Sequence, residues 1–192
     1  DRDGSISVGD RFADRLAAAL AAETRDGRAA VDGGRLTALR QTLVDEYAWM
    51  SRPGSLAPLS PDVVRGGDSM GQGILESERG LAILERGEAP EARLRFAEGL
   101  TFAAGGRRVR EGDWRRAAWL CEQVRALIDA TPTAGTPAGR LHALNETWSQ
   151  TIKALWDHAE RPRTREALHQ ALDVARAWYE AAPDDDFGHR SL

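Results

Sequence analysis

The chain has 192 residues, with 26 Lys and Arg against 30 Asp and Glu and a net charge of −4. Hydrophobic residues make up 42%, but 32 residues are alanine. This balance excludes wholesale disorder, and the length fits one domain, or a small one beside a helical hairpin. No apolar run approaches the ~18–20 residues that span a bilayer, so no membrane association is expected. No basic stretch followed by an apolar segment reads as a leader. The single cysteine, Cys121, excludes an intramolecular disulfide framework and a cysteine-based zinc site, so a reducing, cytoplasmic setting is expected. Of the basic residues 25 are Arg and one is Lys153. That skew reads as a coding bias, and without a basic surplus a nucleic-acid binder is not expected.

The apolar pattern repeats at 3.6 residues nearly everywhere, so the fold class is all-α, built from antiparallel helical hairpins as a repeat-like array or a bundle. The first helix is expected from Asp10 to about Glu23, with Phe12, Leu16, Ala19 and Leu20 on one face, ending at Asp26-Gly27. The second runs from Arg35 to about Met50. Leu36, Leu39, Leu43, Tyr47 and Met50 form its stripe, and Pro53-Gly54 stops it. Residues 1–51 thus form an N-terminal hairpin. Residues 52–73 are the richest in Pro, Gly and Ser and read as a linker, with Ser60-Pro61-Asp62 able to cap one helical turn.

Five helices are expected in residues 74–192. Ile74–Arg86 ends at Gly87. Pro90–Ala104 starts with Pro and an acid at the positive end of the helix dipole and can run past Gly105-Gly106 towards Arg110. Asp113–Ala130 is capped by Asp113. Pro137–Glu160 carries Leu141, Leu144, Trp148, Thr151 and Leu155. Arg163–Ala182 carries Leu168, Ala171, Leu172, Ala175, Trp178 and Tyr179. Residues 113–132 align with 164–183 at an offset of 51, matching Arg125 with Arg176, Ala126 with Ala177, Asp129 with Glu180 and Pro132 with Pro183.

Leu84-Glu-Arg-Gly-Glu-Ala-Pro-Glu-Ala, Arg110-Glu-Gly-Asp-Trp-Arg-Arg-Ala and Ala175-Arg-Ala-Trp-Tyr-Glu-Ala-Ala-Pro-Asp resemble tetratricopeptide repeats, over about residues 74–192. The offset of 51 differs from that family's period of about 34. The resemblance implies a stack of hairpins whose concave face binds a peptide or a partner protein. Uncapped stacking faces in such an array associate, which allows a homo-oligomer.

Trp114, Trp119, Trp148, Trp156 and Trp178 fall in the last 79 residues. Trp148 and Trp178 lie on apolar stripes and read as core. Trp114, Trp119 and Trp156 fall off the best stripes, as groove fillers or as a binding face. With Arg107, Arg108, Arg115 and Arg116 they compose a candidate partner-binding groove that favours an acidic segment.

The leading expectation is therefore a protein-interaction or regulatory module without a cofactor. The alternative is a helical-bundle enzyme or small-ligand binder with a divalent metal in a pocket of His142, Glu146, His158, Glu166 and His169. His142 and Glu146 share a helix face, and Glu166-Ala-Leu-His169 is the one Glu-x-x-His motif. Residues 1–12 resemble the later part of an EF-hand loop. The resemblance implies Asp1, Asp3 and Asp10 as calcium ligands, with Gly4 at the sharp turn. A degenerate or truncated relic, or a coincidental acidic N-terminus, is the preferred reading. Gly66–Gly73 lacks the Gly-Lys-Ser/Thr of a phosphate-binding loop, and Ser69 lacks the flanks of a nucleophile elbow. Cys121 reads as an inert buried thiol.

Overall fold

The computed structural model describes residues 8–25, 33–52, 69–132 and 134–181. Seven helices occupy them, with no strand among the described residues: α1 (Val8–Arg25), α2 (Gly33–Met50), α3 (Ser69–Glu85), α4 (Ala89–Gly106), α5 (Trp114–Asp129), α6 (Pro137–Asp157) and α7 (Arg161–Ala181). One wide π-helical turn, Arg107–Glu111, extends α4. The expected helix at Ser60-Pro61, the stop at Pro53-Gly54 and most of the 52–73 linker lie outside the described residues.

Each helix packs on the next in the chain, and α4 also meets α2 and α6. The N-terminal hairpin shares the main core. Phe12, Leu16, Tyr47 and Met50 lie in one buried cluster with Phe96, Leu100, Leu120 and Ala154. Phe12 stacks flat on Tyr47 with ring centroids 4.0 Å apart. This contact joins the start of α1 to the end of α2, so the two run antiparallel.

α3 begins five residues before the expected Ile74, inside the glycine-rich stretch. The reason is steric. A Cβ at Gly73 would strike the Met50 sulfur, and one at Gly99 would stand 2.7 Å from Ser77 Oγ. One at Gly80 would stand 2.7 Å from Phe96 Cδ1. Glycine here shortens the distance between α3 and α4, which offsets its poor helix propensity.

The connections follow local chemistry. Gly87, Gly112 and Gly135 take positive φ, where a side chain would clash with its own backbone. Asp113 accepts a hydrogen bond from the Arg116 amide at 2.9 Å and caps α5, as expected. Thr136 caps α6 through the Gly139 amide. Arg140 reaches back to the carbonyl oxygens of Ile128 and Thr131, satisfying the C-terminal end of α5.

Candidate functional site

The apolar stripe of α2 carries one acid. Leu39, Leu43, Glu46 and Met50 are spaced four, three and four, so Glu46 points where Leu43 and Met50 point. Its side chain is 1% exposed. A lone carboxylate there would be strongly unfavourable, but two arginines surround it. Arg107 Nε donates to one oxygen at 2.9 Å. Arg116 donates to the other from Nε at 2.9 Å and from Nη2 at 2.7 Å.

The π turn and the α5 cap place those arginines. Arg107 opens the turn and Glu111 closes it, and the two pair at 2.6 Å. The Arg107 guanidinium also lies 3.9 Å over the Trp49 ring, while Trp49 Nε1 donates to Glu111. Burial alone would lower the Arg107 pKa, but Glu46 and Glu111 outweigh it and raise the value. Burial would raise Glu111, yet the bonds from Trp49 and Arg107 prevail and lower it. Gly112, at φ 64°, turns the chain out and donates its amide to the Arg107 carbonyl.

The expected groove residues gather round this knot, but not as free groups. Arg107 and Arg116 are committed to Glu46, and Arg108 pairs with Asp157 at 3.0 Å. Their charge is met inside the molecule, so these three do not form a free basic lining. Trp114 is half-buried and stacks on His158 with centroids 4.9 Å apart. It wedges the start of α5 against the end of α6. Arg116 covers Trp119 at 4.4 Å, and Arg115 lies 5.3 Å over Trp114. Trp119, Arg115 and Trp156 remain exposed, Trp156 at 71%. Exposed Lys153, Arg161, Arg163 and Arg165 flank Trp156 along the chain.

The metal-candidate residues stay apart. His142 meets the edge of Trp178 at 5.0 Å near the start of α6, while His158 follows its end. Sixteen residues of helix separate them by roughly 24 Å at 1.5 Å per residue. Glu146, Glu166 and His169 are solvent-exposed. Among the described residues no group of three His, Cys, Asp or Glu is placed to hold a metal ion. Asp10 is exposed in the first turn of α1, and Asp1 and Asp3 lie outside the described residues.

Other buried acids follow the Glu46 pattern and escaped the sequence reading. Glu23 of α1 pairs with Arg93 of α4 at 3.1 Å, and Glu76 of α3 pairs with Arg95 of α4 at 3.2 Å. Tyr47 donates to Glu78 at 2.6 Å, and Arg15 also holds Glu78. Burial first, and the Glu78 bond second, push the Tyr47 pKa up. A cavity of about 190 Å³ is lined by Ala19, Ala22, Glu23, Leu84, Glu85 and neighbours. Its acids are already engaged, Glu23 by Arg93 and Glu85 by Arg15 at 2.9 Å. Cys121 is fully buried, and burial pushes its thiol up to about 11.

No protein family, curated protein or solved structure matches this chain.

Proposed function

We propose that this chain is a helical interaction module, its α3–α7 hairpins stacked in the repeat-like manner, that docks an acidic, partly apolar partner segment. The docking face comprises Trp156, Trp119 and Arg115. The exposure of Trp156 carries this reading. An indole 71% open to solvent is an unfavourable use of the largest apolar side chain, and such residues are enriched at binding hot spots. Arg115, Lys153, Arg161 and Arg165 supply exposed positive charge at this corner in a chain of net charge −4, while Arg163 faces Glu122 at 3.8 Å. The acidic preference rests on these exposed cations, not on Arg107 and Arg116.

The test is a fluorescence titration with a tryptophan-free peptide alternating Glu and Leu. Binding is expected to weaken with salt. Trp156→Ala and Arg115→Glu should each weaken it roughly tenfold, as hot-spot truncations do. Equal binding of a peptide with Lys in place of Glu, or full binding by Trp156→Ala, would refute the proposal.

A further inference from the structure

Most arginines that the fold draws inward meet a carboxylate. Arg93 meets Glu23, Arg107 and Arg116 meet Glu46, and Arg108 meets Asp157. Arg140 lies on two carbonyl oxygens. Arg125, half-buried on α5, differs from all of these. Its guanidinium lies 3.8 Å over the Trp148 ring, and Nη1 donates to Thr151 Oγ1 at 2.9 Å. That hydroxyl donates in turn to the Thr147 carbonyl at 2.9 Å, which fixes it as an acceptor towards Arg125. Among the described residues no carboxylate stands within ion-pair distance of Arg125.

The arrangement leaves a cation aligned and incompletely used. A guanidinium carries five N–H donors in one plane. Trp148 covers a face of that plane and Thr151 takes one donor, so the free donors present an edge. A planar pair of oxygens fits such an edge in two parallel bonds. Burial lowers the pKa of Arg125 even though the Glu122 and Asp129 carboxylates nearby raise it, the cost of a cation drawn from water without a directly bonded anion. The charge of an acceptor that would suit this edge is also bounded. Glu122 and Asp129, three residues before and four after on α5, are both exposed on this flank. They disfavour a dianion more than a monoanion.

We propose that Arg125, held by Trp148 and Thr151, is a binding site for a single carboxylate group. Trp148 and Thr151 fix the guanidinium plane, and Arg125 supplies the bidentate contact. A small free carboxylate and an acidic side chain of a docked segment share this chemistry. The site lies midway along α5 and α6 and does not depend on Trp156.

The test is an NMR titration with sodium acetate against sodium chloride at constant ionic strength. It follows the indole N–H signals of the six tryptophans, with Trp148→Phe identifying one of them. The Trp148 signal should move saturably with acetate while the Trp156 signal stays still. Phosphate at the same concentration should move it less. Arg125→Met should abolish the response. Arg125→Lys, which keeps the charge but lacks the fork, should weaken it roughly tenfold and carries the test where the Met variant does not fold. If the Glu/Leu peptide moves Trp148 more strongly than acetate does, the carboxylate belongs to a partner segment. If only acetate moves it, the ligand is a small free acid. An absent acetate response, an equal response in Arg125→Met, or a stronger response to phosphate would overturn the proposal.

Discussion

Replacing Glu46 by Gln changes almost nothing in shape and removes one buried charge. The carboxylate accepts three short bonds, from Arg107 Nε and from Arg116 Nε and Nη2. A carboxamide has one acceptor oxygen, so it serves one arginine and turns an N–H donor towards the other. Breaking a buried ion pair from one side costs about 3–5 kcal/mol. Arg107 keeps Glu111 at 2.6 Å, and Arg116, whose side chain is 30% exposed, regains some water. These reliefs place the expected loss near 3 kcal/mol, the lower end of that range. At roughly 2–4 °C per kcal/mol for a chain of this size, Tm should fall by about 6–12 °C.

Urea unfolding followed by far-UV circular dichroism measures this loss, with the midpoint falling and the m-value unchanged. A control separates net charge from packing. Glu46→Leu combined with Arg107→Met and Arg116→Leu replaces the whole set by apolar groups of similar size. Such replacements are often neutral or stabilising, so the triple variant should be more stable than Glu46→Gln. A loss below about 1 kcal/mol in Glu46→Gln, the level of a surface pair, would refute the reasoning.

Two further outcomes follow from the packing. Gly80→Ala gains helix propensity of up to about 1 kcal/mol. Its Cβ, however, meets the buried Phe96 ring at 2.7 Å and the Ala92 carbonyl at 3.2 Å. Overpacking costs about 1–3 kcal/mol, so thermal melts should show net destabilisation. A raised Tm would show that α3 and α4 can separate freely. The second outcome concerns alkaline pH. Burial raises the Cys121 thiol from 9.0 to about 11, so the folded state holds this proton more tightly than the unfolded chain. The resulting stability, roughly 2–3 kcal/mol at 1.36 kcal/mol per unit, is complete below pH 9 and is lost between about pH 9 and 11. Tyr47, also raised, adds a loss of the same sign above its ordinary range. Stability against pH should therefore fall less steeply in Cys121→Ala than in the native chain, and equal slopes would contradict the assignment.

The helices were legible because their signals are local. Apolar residues recur at 3.6, Asp113 caps, and Gly87 breaks. The extension of α4 beyond Gly105-Gly106 was also readable, although the π turn that completes it was not. Two kinds of information were hidden. Gly73 read as linker because propensity is a local quantity, whereas its place in α3 depends on what Met50 and Gly99 do across the interface. Charge partners were hidden for the same reason. Glu46 lies 61 and 70 residues from its two arginines. A partial clue was present, since an acid in step with Leu39, Leu43 and Met50 requires a buried cation somewhere. Glu23, in step with Leu16 and Leu20, gives the same clue. Reading the groove from Arg107, Arg108, Arg115 and Arg116 missed that Arg107, Arg108 and Arg116 were already claimed.

That distinction divides the arginines by use. Arg107 over Trp49 and Arg116 over Trp119 each combine an aromatic face with a carboxylate, and both tie α2 to the α4–α5 corner. Arg115 over Trp114 and Arg125 over Trp148 have the aromatic face without a carboxylate within ion-pair distance among the described residues. An indole holds a guanidinium in one plane but leaves its in-plane donors free. The first two complete the fold with their free donors. The second two keep theirs oriented and available, and an oriented donor loses less conformational entropy on binding than a mobile one. Arg115 and Arg125 thus share an aromatic-backed guanidinium with uncommitted in-plane donors, the one feature on which both the proposed docking face and the proposed carboxylate site rest.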